Sequence, residues 1–154
     1  MGYINKNLIP DESVIYRAQL HWIIFAKAAP SFLLAIIFFI ISSNTENYSF
    51  LLGIGFIFLL AAIFAAIGSW MKLKTSEFAV TNKRVLIKVG FIRRHSLELP
   101  LQKVEGIGVD QGLLGRLLGF GTIIVTGTGG TKERFDGIAL PLEFRKQVQA
   151  QVAV

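Results

Sequence analysis

No cysteine occurs anywhere in the chain, which removes disulfides, thiolate nucleophiles and thiolate metal sites together. That absence suits a reducing compartment. Histidine is nearly as scarce, with only His21 and His95, so imidazole-based metal binding and acid–base chemistry have little to draw on. His95 and Glu98 form an H-x-x-E pair, but on a strand an odd separation sends two side chains to opposite faces, and no metal is expected there. His21 reads as an interfacial polar residue. Adjacent Asp11 and Glu12 read as a solvated helix-start pair rather than an acid–base couple. Gly127–Lys132 is glycine-rich, but no glycine directly precedes the lysine and no helix follows, so it reads as a hairpin tip and not a phosphate loop. Neither Gly106-Ile-Gly108 nor Gly119-Phe-Gly121 completes G-x-G-x-x-G. No catalytic residue, metal ligand or cofactor is therefore assigned, and the chain reads as a non-enzyme.

Charge is missing from two stretches, and both are informative. Phe50–Met71 is 22 residues without a charged side chain, and about 20 apolar residues suffice to cross ~30 Å of hydrocarbon as a helix. The apolar fraction of 53% and mean hydropathy of +0.57 are concentrated between Trp22 and Met71. Trp22–Ile41 is long enough for a second span. It holds Lys27, close enough to one end to snorkel, and Pro30, near the first turns where proline is tolerated. Ser42–Ser49 has no Lys or Arg, whereas Lys6 and Arg17 precede the first span and Lys72 and Lys74 follow the second. The positive-inside rule then predicts both termini in the cytoplasm and the connector outside. Trp22 and Trp70 fall at the inner interface and Tyr48 at the outer one. The first 20 residues are polar and lack a cleavage site, so no cleaved signal is expected.

Within the spans, small residues recur at helical spacing: Ser31 and Ala35 in the first, Ala61, Ala65 and Gly68 beside Ala62 and Ala66 in the second. Lipid offers no hydrophobic drive between helices, so close approach at small residues is what packs them. These residues are assigned to packing within the hairpin, with packing between copies as the sharper alternative.

From Lys72 the period changes. Thirteen of the sixteen Lys and Arg residues and seven of the ten acids follow Met71, so this part alone carries the net +6. Val85, Ile87 and Val89 alternate as in a half-buried strand, flanked by turn signals at Asn82-Lys83 and Gly90. Ile107 and Val109, then Ile123 and Val125, repeat the alternation, and Phe135–Leu140 reads as a last strand. Pro141 suits a helix start, after which Phe144, Val148 and Val152 form an amphipathic stripe.

Three runs, Val80-Thr81-Asn82-Lys83-Arg84, Leu99-Pro100-Leu101 with Lys103-Val104, and Leu113-Leu114-Gly115-Arg116-Leu117-Leu118-Gly119-Phe120-Gly121-Thr122, resemble the bacterial pleckstrin-homology-like (PH-like) family of membrane proteins. Leu8-Ile9-Pro10-Asp11-Glu12 and His21-Trp22 are similar to the segment that leads into the family's membrane helices. The resemblance covers nearly the whole chain. It implies a two-helix transmembrane hairpin followed by a small β-rich PH-like domain, a curved antiparallel sheet or partly open barrel capped by a C-terminal helix. The expected division is 1–21 as a cytoplasmic segment, 22–71 as the hairpin with helices 22–41 and 50–71, and 72–154 as the cytoplasmic domain. Eukaryotic lipid-binding relatives hold inositol phosphates with a basic loop between the first two strands. That position is taken here as the turn at Asn82-Lys83, where only Lys83 and Arg84 are cationic, a departure from that pattern.

Two features are candidates for binding. Lys72, Lys74, Arg93 and Arg94 form a juxtamembrane basic set, expected to meet lipid headgroups or to act through orientation alone. Gly112–Phe120 carries the i, i+4 pairs Leu113/Leu117 and Leu114/Leu118 around Arg116. It is expected to plug an open end of the sheet, with a docking surface for lipid or a partner as the alternative. The leading function is a non-catalytic platform in the bacterial cytoplasmic membrane that binds a protein partner or further copies of itself, and the alternative is a lipid-headgroup-binding or lipid-handling module. Expected partners are membrane lipids, a membrane protein or further copies. Nucleic acid is not expected, since the cations are not interleaved with aromatics.

Overall fold

The computed structural model describes residues 2–44, 48–91 and 94–153. The chain forms two compact units, one of residues 1–21 with 72–154 and the other of residues 22–71.

The first unit contains two antiparallel sheets. The larger has the order β1–β2–β3–β4, from β1 (Val14–Ala18), β2 (Glu77–Thr81), β3 (Arg84–Val89) and β4 (His95–Pro100). The smaller has the order β5–β6–β7, from β5 (Val104–Asp110), β6 (Phe120–Gly127) and β7 (Lys132–Ala139). Alternation fixes which face is inside: Phe78, Val80, Val85, Ile87, Ile123, Val125, Phe135 and Ile138 are all buried. The rings of Phe78 and Phe135 meet edge-to-face between the sheets at 6.1 Å. Helix α5 (Pro141–Val152) starts at its proline and closes this core with Phe144 and Val148, both buried, packing over β1, β2, β5 and β6. Val152, the third member of the expected stripe, is 45% exposed. Gly127 to Thr131 close the β6–β7 hairpin, with the Gly127 N–H on the Thr131 carbonyl, as the glycines led one to expect.

The expected boundary at residue 72 is corrected. Val14–Ala18 is a strand of the sheet, with Arg17 opposite Ala79 and Ala18 opposite Phe78, so 72–154 alone is not the domain. The chain continues along the smaller sheet: Leu20 bridges Ile138 and the His21 N–H donates to the Gly137 carbonyl at 2.7 Å. A single helical turn, α1 (Tyr3–Lys6), covers the outer face of the larger sheet, where Ile4 packs on Ala79 and Leu86 with Leu8 and Val14 alongside. The first two strands are thus β1 and β2, and residues 22–71 form the connection between them. Asn82-Lys83 joins β2 to β3 instead.

What holds the N-terminal segment down is one carboxylate. The Glu12 side chain is fully buried and accepts from Arg84 Nε at 3.0 Å, Thr81 Oγ1 at 2.7 Å and the Ile9 N–H at 2.8 Å. Burial would push this carboxyl up, but the donations from Arg84, Ile9 and Thr81 outweigh it and hold it below the usual carboxylate value. Arg84 also donates to Glu98 at 2.6 Å, and Glu98 accepts the Tyr3 hydroxyl. The expectation of a solvated Asp11/Glu12 pair fails for Glu12. A lone buried charge would be costly, but this one has a guanidinium and two further donors.

The second unit is an antiparallel helical hairpin. A six-residue 3-10 stretch, Trp22–Lys27, leads into α2 (Ala29–Ser42), and α3 runs from Tyr48 to Thr75. The continuous helix expected over 22–41 is therefore broken before Pro30, which sits at the start of α2 where its missing N–H costs nothing. Phe38 stacks on Phe58 at 5.6 Å and Phe39 meets Phe56 edge-on at 5.4 Å, while Ser69 Oγ donates to the Ile24 carbonyl at 3.1 Å. Gly55 is required where Phe39 lies, since a β-carbon there would come within 2.7 Å of the ring. Alone among the described helices, α3 is long and apolar enough to cross a membrane, with a mean hydropathy of 2.8 over its most apolar window. Its 28 residues make about 42 Å of helix, whereas the 14 of α2 make about 21 Å.

Candidate functional site

The leucine-rich segment does form a short helix, α4 (Leu113–Leu118), but it plugs nothing. Leu113 is 86% exposed, Leu117 81%, Leu114 68% and Leu118 41%. The cause is Gly115. It is the buried residue of the helix, set so close to the Phe120 carbonyl that a β-carbon would lie 2.6 Å from that oxygen. At ~100° per residue, Leu113 and Leu117 point roughly 160° away from the Gly115 direction, Leu114 about 100° and Leu118 about 60°. The exposures follow this order. Gln111 Nε2 fastens the turn by donating to the Phe120 carbonyl at 2.8 Å, and Gly119 ends the helix in the left-handed conformation, φ 76°. The mid-run glycine was the sequence signal that the leucines face outward.

Beside α4 lies a second irregularity. Leu140 is 60% exposed and held at φ 50°, its N–H on the Gly119 carbonyl at 2.9 Å. A non-glycine residue there costs of order 1 kcal/mol.

Of the described basic candidates, Lys72, Lys74 and Arg94 lie at one end of the larger sheet and Arg116 lies on α4. Lys72 and Lys74 are exposed in the last turn of α3, just before β2. Glu77 pairs with Lys88 and Val89 with His95, so exposed Arg94, directly before β4, lies at that end of the larger sheet too. Arg93 lies outside the described residues. Arg116 is exposed on α4. His21 stacks on Phe120, the first residue of β6, with ring centres 5.3 Å apart. The end of β1, the start of β2, α4 and the end of β7 are therefore neighbours.

Sequence reasoning missed a cleft at this end, about 340 Å³, lined by Arg17, Gln19, Lys74, Ser76 and Glu77 among others. Buried Ser76 Oγ has no hydrogen-bond partner among the described residues. Glu77 is occupied, accepting the Tyr3 and Ile4 N–H groups at 2.7 and 3.0 Å.

His95 and Glu98 part company, His95 going to Glu133 at 3.3 Å and Glu98 to Arg84. Among the described residues no three potential metal ligands cluster. Asp136 is held low, chiefly by the Thr122 hydroxyl at 2.8 Å and against the effect of burial, with Arg134 adding its charge. In the hairpin, Ala35 and Ala62 are buried in the helix contact and Ser31 is half-buried. Ala61 and Gly68 are exposed and Ala65 half-buried, so of the assigned second-helix residues two lie off that contact.

The chain matches the family model described as bacterial PH domain over residues 28–152. It is 28% identical over 105 residues to the UPF0699 transmembrane protein YdbT of Bacillus subtilis (strain 168), covering 66% of this chain but only 21% of that protein. A solved structure, a DUF1696 family protein with a pleckstrin-homology domain from Shewanella loihica PV-4, aligns over 52% of this chain and 73% of its own, with TM-score 0.41 and 11% identity. Two antiparallel sheets closed by a C-terminal helix, with the family match running through all of them but β1, place this chain in the bacterial PH domain family.

Proposed function

We propose that the chain is a non-catalytic platform of the bacterial cytoplasmic membrane, its PH-like domain on the cytoplasmic side binding a protein partner or further copies of the chain. One observation carries this reading: the apolar unit interrupts the domain between β1 and β2. The domain is therefore tied to that unit through two strands, which suits a surface that must be held in place. Exposed Phe50, Ile57 and Phe64 on α3 suit lipid as solvent. Trp22–Lys27 and α2 laid end to end reach about 33 Å, enough for a first span beside α3. The absence of Lys and Arg from 42–49 favours an orientation with both termini in the cytoplasm. Glu12, Arg84 and Asp136 are engaged in ion pairs and hydrogen bonds within the domain, which suits the non-catalytic reading.

The test is native mass spectrometry of the full chain from mild detergent and from nanodiscs, with identification of co-eluting proteins. Association through the hairpin predicts that Gly68→Leu gives a smaller species, because a β-carbon at Gly68 meets nothing within 4 Å and leaves the hairpin intact. A chain that is alone and monomeric in every condition refutes the platform.

A second reading, headgroup binding, is favoured by the cleft. Arg17 and Lys74 offer two positive charges beside the Ser76 hydroxyl, which has no partner among the described residues. Anionic liposomes should then retain the full chain less well after Arg17→Gln with Lys74→Gln, if headgroups bind there.

A further inference from the structure

We propose that α4 is a membrane-interface wedge: its exposed leucines, with Leu140, enter the interfacial region of the bilayer to which the chain is anchored. The inference rests on the proposed function only in taking residues 22–71 as membrane-embedded, and goes beyond it in assigning α4 an occupant.

Three observations within the domain point the same way. The first is exposure. A soluble surface tolerates scattered leucines, but Leu113, Leu114 and Leu117 lie within one and a half turns, each more than two-thirds exposed. Gly115 turns them outward, and a larger residue there would collide with the Phe120 carbonyl. The second is strain. Leu140 keeps a large apolar side chain at φ 50°, where glycine would sit without cost, and shows 60% of it to solvent.

The third is place. α4 leads directly into Phe120, on which His21 stacks, and the His21 N–H is bonded to Gly137. His21 is the last residue before the apolar segment begins at Trp22, so the leucines share the end of the domain from which the chain enters that segment. Lys72, where the chain returns, is at this end too. The chemistry suits a headgroup layer: Arg116 is the one charged side chain from Gln111 to Thr131, and its long stem lets the leucines sink while the guanidinium stays among phosphates. Asp110, which precedes α4 in sequence, and Asp136 face Arg134 at 3.6 and 3.0 Å. A protein partner is less well suited. Six residues of helix fall far short of the ~800 Å² per partner of a standard interface, but interfacial insertion needs only a few buried apolar side chains.

The absence of native cysteine makes the test direct. Single cysteines replace Leu117, Thr128 at the far β6–β7 tip, or Phe64 on α3, each carrying an environment-sensitive fluorophore, in full-length chain reconstituted into phosphatidylglycerol-containing vesicles. All three positions are exposed, so folding is undisturbed. The expected result is a blue-shifted Leu117→Cys signal that loses most of its emission to lipid-borne quenchers and little to iodide, with the reverse at Thr128→Cys. If Phe64→Cys is lipid-quenched but Leu117→Cys behaves like Thr128→Cys, the wedge is wrong and the membrane reading stands. If Phe64→Cys itself is untouched by lipid quenchers, both fall. A Leu117→Cys signal shielded from lipid and iodide alike means that protein covers the face, and also overturns the wedge.

Discussion

Replacing Glu12 by alanine should be among the most damaging single changes in the domain. Its carboxylate is buried and accepts from Arg84 Nε and Nη2, Thr81 Oγ1 and the Ile9 N–H, at 2.7 to 3.1 Å. Removing one partner of a buried ion pair typically costs ~3–5 kcal/mol because the other charge is stranded. Here Arg84 keeps Glu98 and the Asn7 carbonyl, which argues for the lower end, about 3 kcal/mol. For a domain of this size ~1 kcal/mol moves Tm by about 4–8 °C, so the loss should be of order 10–20 °C. The Arg84–Glu98 contact is the shorter at 2.6 Å, yet the Glu98 side chain is 36% exposed, and Glu98→Ala should cost under ~1 kcal/mol. Thermal unfolding of the full chain in mild detergent, followed by proteolytic susceptibility of the domain, gives both numbers. A double-mutant cycle with Arg84→Ala isolates the pair and should show strong coupling. Glu12→Ala within ~0.5 kcal/mol of wild type, or no coupling, would refute the claim that this carboxylate clasps the N-terminal segment to the β2–β3 turn.

Residues 72–154 expressed alone should fail to fold, having lost β1 and α1, whereas 1–21 joined to 72–154 by a short Gly/Ser linker should give a soluble domain with dispersed amide resonances. Leu117→Ala should change stability by less than ~0.5 kcal/mol, because Leu117 is 81% exposed; a loss of several kcal/mol in denaturant unfolding would restore the plug. Acid should weaken the domain: Glu12 and Asp136 both have depressed folded-state values, so their stabilisation is complete above ~pH 5 and fades as pH falls through the ordinary carboxylate range toward their folded values. Glu12→Ala should flatten that decline, and an unchanged slope in a pH series of melting curves would argue against the assignment.

Elements legible in the sequence were those whose own residues carry the pattern. β3, β6 and α5 announce themselves by alternation or by an i, i+4 stripe, since each turns one row of apolar residues to the core, although β3 also buries Leu86 on its other face under α1. β1 escaped because Val14–Ala18 has only a weak alternation and its partners are sixty or more residues away, beyond the apolar unit. Once 1–21 is treated as a leader, β2 becomes the first strand and every later strand is misnumbered, which moves the expected inositol-phosphate loop to Asn82-Lys83. The clue available was chemical. Glu12 lies in one of the runs that carry the family resemblance and Arg84 in another, and an acid and an arginine in separate motifs are natural candidates for a pair.

The leucine-rich helix carries the opposite lesson. Apolar side chains at i and i+4 say that one face is continuous, but nothing about which side of that face meets protein. Deciding it needed the glycine in the run. A glycine inside a short helix weakens it unless something must approach closely, and here the Phe120 carbonyl does. The helix therefore meets the domain through its glycine, and its leucines face outward. The same logic governs α3, where Gly55 and Ala62 take the contact with α2 while Phe50 and Phe64 point away. At both places a small residue marks a close contact within the protein, and the large apolar residues left outside are those that the proposed function, on α3, and the proposed wedge, on α4, assign to lipid.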